Sequence, residues 1–334
     1  MKPQLRTSWW NHGEPGERVC ENRRMLLPEL TERRENAAVG YLGAQAGTRD
    51  GELNGVAGLF SRRTFRALAS SQPSHLRDIA QYLTGAGSVD ESITLADVFD
   101  GALRVMTRHY RNEYVFKNTI VDRLVFGRHS PRTAAALLEL RAGKAIVDVA
   151  VFNGTSTAYE IKTDLDDFSR LPQQLRCYEA SFERVNVVTS PRLAPRVLAT
   201  VPTHIGILAL TDRGSLSEMR APAAGIGRLT QAGLFGMLRR QEILDILRRT
   251  LGYEVDVPPA RLWRRTRDLF LSLAMETAHP QVVDELRSRG MRAATTAVAV
   301  PRSLRAMAYE VPLNASEARR VRAKLVAPAA SFVD

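Results

Sequence analysis

AIVDVAVFNGTSTAYEIKTDLDDFSRLPQQLRCY, residues 145–178, decides how the rest of the chain is read. Asp148 interrupts an otherwise apolar run from Ala145 to Phe152. A run rich in Val and Ile is the pattern of a buried strand. A carboxylate in such a strand is costly unless something compensates it. Residues 157–162 alternate, with Tyr159 and Ile161 on one side and Ala158, Glu160 and Lys162 on the other. Asn153–Gly154 between the two runs is a hairpin signal. Register then decides the chemistry. Glu160 comes opposite Asp148 only across an odd loop, such as Asn153–Gly154–Thr155 closed by Phe152 and Ser156. A two-residue turn would pair Asp148 with Tyr159 and send Glu160 to the other face. The odd loop is expected. Two carboxylates on neighbouring strands can hold a hard divalent cation, and Mg²⁺ suits a site of one or two carboxylates, waters and a phosphate oxygen. Lys162 can reach the same substrate.

The order Asp148, Glu160–Ile161–Lys162, then Gln174 and Tyr178 at helical i, i+4 spacing resembles the PD-(D/E)XK nuclease superfamily, in its RecB-like branch with a Q-x-x-x-Y helix. Val147, not proline, precedes Asp148, a departure common in that superfamily. Over about residues 58–290 the chain also resembles a bacterial and phage-associated family known by a locus-tag name. The shared stretches are RNEYVFKN (111–118), YEIKTDLD (159–166), RLPQQ (170–174) and GILAL (206–210). The resemblance implies an α/β fold: a mixed β-sheet flanked by helices, a restriction-endonuclease-like core. It also implies metal-dependent hydrolysis of phosphodiesters. Asp148, Glu160 and Glu113 would be the metal ligands for Mg²⁺ or Mn²⁺. Lys162, Gln174 and Tyr178 would be the catalytic groups. Glu113 enters because a helix before the sheet often adds an acid in this superfamily; a plain Glu113–Lys117 surface pair is the competing reading. Glu139 is a lesser candidate acid.

Composition narrows the partners. The 334 residues carry a net charge of +11, which favours a polyanion, and nucleic acid, DNA first, is the expected partner. The excess is almost all arginine. Of 47 basic residues only five are lysines, so Lys162 is less readily dismissed as a solubilising charge. Cys20 and Cys177 fit no metal spacing and no disulfide framework. No apolar run of membrane length and no secretory h-region is apparent, and a cytoplasmic location is expected. The six histidines are scattered. His109, one turn before Glu113, could support the metal site or be an ordinary surface or core histidine.

Residues 1–57, with Trp9–Trp10, are expected to be disordered or loosely packed. A nuclease-like core is expected over 58–221, with helices at 61–68, 74–83 and 95–103 and a longer one at 103–126. Residues 131–141 read as helix or strand. Asp164, Asp166 and Asp167 read as helix caps before metal ligands. Strands at 184–189, 204–210 and 215–220 complete the sheet. A linker near Pro222 then leads to an all-helical region, 229–334, whose arginines would contribute non-specific nucleic-acid binding as a separable unit. A catalytically inactive binding module that keeps this core, reused by a defence, phage or mobile-element system, is the alternative to an enzyme.

Overall fold

In the computed structural model the described residues are 55–72, 79 and 92–332. The expected extension 1–57, apart from its last three residues, and the helix expected at 74–83, apart from residue 79, lie outside them. Helix α1 (Arg62–Ala69) starts where the Ser61 side chain accepts the Thr64 amide. Helix α2 (Leu95–His109) starts in a reciprocal cap between Thr94 and Asp97. Such caps satisfy amides that have no partner in the first turn.

The single long helix expected at 103–126 is instead interrupted. After Tyr110 the chain leaves helical geometry, and Asn112 caps a new helix, α3 (Glu113–Ile120), by accepting the Val115 amide. Arg111 fixes the break from outside, donating to the Leu210 carbonyl and pairing with Asp212. A π-helical segment, Val121–Arg128, follows. The apolar stripe runs on through the break, so spacing alone does not reveal it.

Six strands form one mixed sheet in simple sequential order. β1 (Ala135–Ala142), β2 (Ala145–Phe152) and β3 (Ser156–Lys162) make an antiparallel meander. Residues expected as helix or strand are thus strand, β1. Helix α4 (Leu171–Glu179) crosses to β4 (Arg184–Thr189), parallel to β3. Helix α5 (Ala194–Thr200) crosses to β5 (Gly206–Leu210), also parallel, and β6 (Leu216–Arg220) closes the edge antiparallel. This is the mixed α/β sheet with flanking helices expected from the sequence.

The C-terminal region is helical. It comprises α6 (Gln231–Met237), α7 (Arg240–Leu251), α8 (Pro259–Leu271), α9 (Met275–Ala299), α10 (Arg305–Glu310) and α11 (Ala315–Leu325). The one helix expected from Thr230 is two, broken at Leu238–Arg239, where the backbone is extended. The helix expected to begin at Pro280 begins five residues earlier and carries that proline inside it. Asn314, not Ser316, caps the last helix, with Glu317 reaching back to its amide.

These helices cover both faces of the sheet. One core joins Val149, Val151, Tyr159 and Ile161 to α1–α3, and to Ala297, Met307, Val321 and Leu325. The other joins Ala150, Phe152, Ala158 and Val187 to Tyr178, Leu234, Ile246, Phe270 and Leu286. The boundary expected near residue 222 therefore falls inside two shared cores, and the helices after it do not form a unit with a core of its own. No helix among the described residues is long and apolar enough to cross a membrane.

Gly290 shows how closely α9 lies on the sheet. A Cβ there would come 2.7 Å from the Ala136 carbonyl oxygen and 2.8 Å from the Ala135 Cβ. Gly290→Ala should therefore destabilise by about 1–3 kcal/mol in equilibrium urea unfolding, as overpacked substitutions do. At an exposed helical site the same change would stabilise by about 1 kcal/mol, so a stabilised variant would refute the close packing.

Candidate metal and catalytic site

The β2–β3 loop is the three-residue Asn153–Gly154–Thr155, closed by the pair Phe152–Ser156. Gly154 has φ +90°, which a side chain would resist. The pairs Val149–Tyr159 and Ala150–Ala158 set the register that places Asp148 opposite Glu160. On the other side, Leu138–Val149 and Leu140–Val147 place Glu139 opposite Asp148. Glu139 has φ +53°, the one non-glycine residue in the left-handed region among the described residues.

That residue turns β1 over. Leu138 packs into one core and Leu140 into the other, although residues two apart share a face in a regular strand. β2 does the same across Asp148, with Val147 in one core and Val149 in the other. Both strands switch faces at the two acids. Local backbone strain of this kind is concentrated at functional sites.

Asp148 Oδ2 accepts the Ile161 amide at 2.7 Å, so a side chain of β2 satisfies a backbone donor of β3. Ligand oxygens of Asp148, Glu113 and Glu139 lie within 4.8 Å of one another. Glu113 comes from the first turn of α3, which packs on β2 and β3. Burial, then the Glu160 charge, push the Asp148 carboxyl well above the usual carboxylate range; the Ile161 hydrogen bond opposes this and the Glu113 charge adds to it. Lys117, 7% exposed, pairs with Glu113 at 2.5 Å and with Glu139. Burial alone would lower its pKa, but the two carboxylates outweigh burial and raise it.

Glu160 and Lys162 lie one alternation apart on β3. Glu160 is 2% exposed, and its Oε1 accepts Lys162 Nζ at 2.7 Å. Its Oε2 accepts the Tyr178 hydroxyl at 2.6 Å. The same hydroxyl lies 2.7 Å from the Ile146 carbonyl and shares its one proton between the two oxygens, tying α4 to β2. Lys162 Nζ donates to Gln174 Oε1 at 3.2 Å. Burial first, then the Glu160 charge, raise the Tyr178 pKa, so the phenol stays a donor.

The six residues singled out in the sequence thus fall into two adjoining groups. Asp148 and Glu113 come together, but the third carboxylate beside them is Glu139, the lesser candidate. Glu160 faces Asp148 electrostatically, with its own oxygens engaged by Lys162 and Tyr178. Gln174 and Tyr178 face Lys162 and Glu160 from α4. The Glu113–Lys117 pair and the acid cluster, posed as alternatives, coexist. His109 ends α2, on the far side of the break from Glu113. Asp166 accepts the Thr163 amide and hydroxyl, Asp167 the Ser169 amide, and Asp164 pairs with Arg192. These three acids brace the loop before α4; Arg170 is that helix's N-cap, without a side-chain bond.

The left-handed Glu139 gives a test of strain held for the sake of position. Glu139→Ala loses the Lys117 pair and keeps the strained backbone; Glu139→Gly loses the pair and relieves it. The glycine variant should be more stable than the alanine variant by about 1–2 kcal/mol in chemical denaturation. Equal stabilities would show that position 139 is unstrained.

Protein cII of Enterobacteria phage P4 is 31% identical to this chain over 102 residues. The match covers 30% of this chain and 39% of that protein, well under half of the relative's length. A solved structure, a protein of unknown function from Silicibacter pomeroyi, aligns with 38% of this chain and 87% of its own at 15% identity. Its TM-score of 0.24 is too low to bear on the fold. The family model described as bacteriophage P4 protein cII matches residues 106–294, from the end of α2 into α9, and so spans the whole sheet and both groups of site residues. With more than half of its length matched, the chain belongs to the bacteriophage P4 protein cII family.

Proposed function

We propose that this protein is a metal-dependent phosphodiesterase of the PD-(D/E)XK type that acts on nucleic acid, most favourably DNA. The observation that carries this reading is the convergence of Glu113 and Glu139 on a carboxyl, Asp148, whose ionised form is disfavoured, beside a buried Glu160–Lys162 pair. A cation beside Asp148 would favour its ionised form, and an all-oxygen donor set suits Mg²⁺ or Mn²⁺. Asp148, Glu113 and Glu139 would hold the ion, with Glu160 completing the negative field. An ion bound there would lower the pKa of a coordinated water and polarise a phosphoryl oxygen.

The chain's own groups do the positioning. The Ile161 amide orients Asp148. Tyr178 and Lys162 hold Glu160 from both oxygens. Gln174 aims Lys162, whose ammonium can stabilise charge that develops on the phosphoryl oxygens. Membership of a family named for a phage protein fits a phage or mobile-element context, and the net charge of +11 fits a polyanionic substrate.

One observation favours a second reading, an inactive nucleic-acid- or protein-binding module. Lys117 already sits between Glu113 and Glu139, so an ammonium supplies part of the positive charge that an ion would bring. Cleavage of DNA and RNA in Mg²⁺, Mn²⁺ or chelator separates the two. An active protein cleaves only with the ions; a binding module retains nucleic acid or a protein partner and cleaves nothing.

Metal binding can be tested without turnover. A carboxyl with a raised folded-state pKa contributes stability that is present in acid and lost as pH rises through that pKa. Asp148→Asn keeps an acceptor for the Ile161 amide and removes the charge. In chelator it should melt above the wild type at about pH 8, with the gap closing towards about pH 4. Mg²⁺ at 100 times its dissociation constant should stabilise the wild type by about 2.7 kcal/mol and leave Asp148→Asn unmoved. A wild type that melts identically in Mg²⁺ and in chelator sinks the metal site.

Lys162→Ala should lower cleavage by about 10²–10³-fold, the scale of losing one charge-stabilising donor. The Mg²⁺-dependent rise in melting temperature should persist, because Lys162 is a cation and not a ligand. Normal cleavage by this variant, or loss of the Mg²⁺ effect, removes Lys162 from the proposed role.

A further inference from the structure

A cavity of about 280 Å³ is lined in part by Gln174, the residue that accepts the Lys162 ammonium. Its walls are Lys144 of the β1–β2 turn, Ala145 and Ile146 of β2, and Arg170, Gln173 and Gln174 at the start of α4, with Cys177 behind. Three features give it a chemistry. It has two cations, Lys144 and Arg170, both exposed, and no acidic residue lines it. Among the described residues no carboxylate forms an ion pair with either cation. The acid that acts on Arg170 is Asp167 of the preceding loop, whose carboxyl is held below its usual range by its Ser169 hydrogen bonds first, with help from the Arg170 charge. Its floor is apolar, with Ile146 47% exposed. The first turn of α4 adds the positive end of a helix dipole.

Two of the lining residues also belong to the candidate site. Gln174 accepts the Lys162 ammonium, and the Ile146 carbonyl accepts the Tyr178 hydroxyl. The cavity therefore begins one side chain away from Lys162. Its volume is below the roughly 300–1,000 Å³ of pockets that enclose a whole small ligand. It suits a piece of a longer chain: one phosphate between the cations, with the sugar against Ile146.

We infer that this cavity is a subsite for a backbone phosphate of the nucleic-acid strand next to the one held at the candidate catalytic site, with Lys144, Arg170 and Gln173 as its positioning residues. The inference rests on the phosphodiesterase reading for its direction, and on the cavity's own lining for its ligand. Contacts of this kind fix the strand's register without reading its bases, so the subsite is indifferent to sequence.

The test uses the full chain and a fluorescein-labelled single-stranded DNA oligonucleotide, with anisotropy measured in chelator across a salt series. Each phosphate contact on a single strand contributes about 0.7 to the slope of log affinity against log salt. Lys144→Gln with Arg170→Gln removes the one phosphate contact of the subsite and should therefore flatten the slope by about 0.7 units. The change should be the same on oligonucleotides of different sequence. Arg108→Gln with Arg213→Gln, two exposed arginines away from this cavity, is the control for lost charge. An unchanged slope in the Lys144/Arg170 variant overturns the subsite. So does an equal flattening in the control, or a wild type that does not bind at all. The melting temperatures of both variants report folding; both pairs are exposed and should melt like the wild type. Cleavage in Mg²⁺ keeps the two ideas apart. A flattened slope with no cleavage by the wild type supports the subsite and counts against the phosphodiesterase. Cleavage by the wild type with unaltered slope and KM in the variant leaves the enzyme and removes the subsite.

Discussion

One hydrogen bond governs the geometry of this protein: the Ile161 amide donating to Asp148 Oδ2. Antiparallel strands ordinarily satisfy such an amide with a backbone carbonyl. Here the acceptor is a carboxylate, which holds Asp148 at the seam between β2 and β3. The Ile146 carbonyl, further along β2, accepts the Tyr178 hydroxyl instead. The seam is bridged by side chains, the Asp148 carboxyl on one side and the neutral Tyr178 phenol on the other. The face switches in β1 and β2 occur at the same level, so the acids stand where the sheet is least regular.

Charge in the interior is handled by pairing. Lys117 and Lys162 are two of only five lysines, and both are buried to the same extent. A buried ion requires a partner and further hydrogen bonds to offset its desolvation. Lys117 has two carboxylates, and Lys162 has a carboxylate and an amide oxygen. Arginine dominates elsewhere, often in exposed pairs such as Arg265–Asp256, which contribute little individually to stability. A compact ammonium fits between carboxylates in a packed space. Most of the arginine pairs among the described residues are exposed, whereas Arg289–Glu242 and Arg305–Asp122 are largely buried.

The meander and its site were legible because they rest on period-two alternation and on loop parity. Asp148, Glu160 and Lys162 could be placed on their strands from those, and Gln174 and Tyr178 stood out through the resemblance to a Q-x-x-x-Y helix, whose i, i+4 spacing puts them on one face. Glu139 was not, since Leu138–Glu139–Leu140 suits either a helix or a strand, and nothing in a glutamate announces a left-handed backbone. The break at residues 110–112 was hidden because Tyr110 and Tyr114 continue the apolar stripe across it. The C-terminal helices were misjudged for another reason. A proline- and glycine-containing connection reveals where the chain can bend, and says nothing of where the next apolar face will dock. Leu286 and Ala297, on one helix, serve different cores.

The shared cores also set an order for biosynthesis. All six strands have been made once Arg220 leaves the ribosome, yet the residues that complete their covering extend to Ala329. At about 5–20 residues per second, the intervening stretch takes roughly five to twenty seconds to appear. For that interval a paired or half-paired sheet presents Val149, Val151 and Phe152 without their final cover. The nascent chain is therefore most exposed to misassociation between the emergence of Arg220 and that of Ala329.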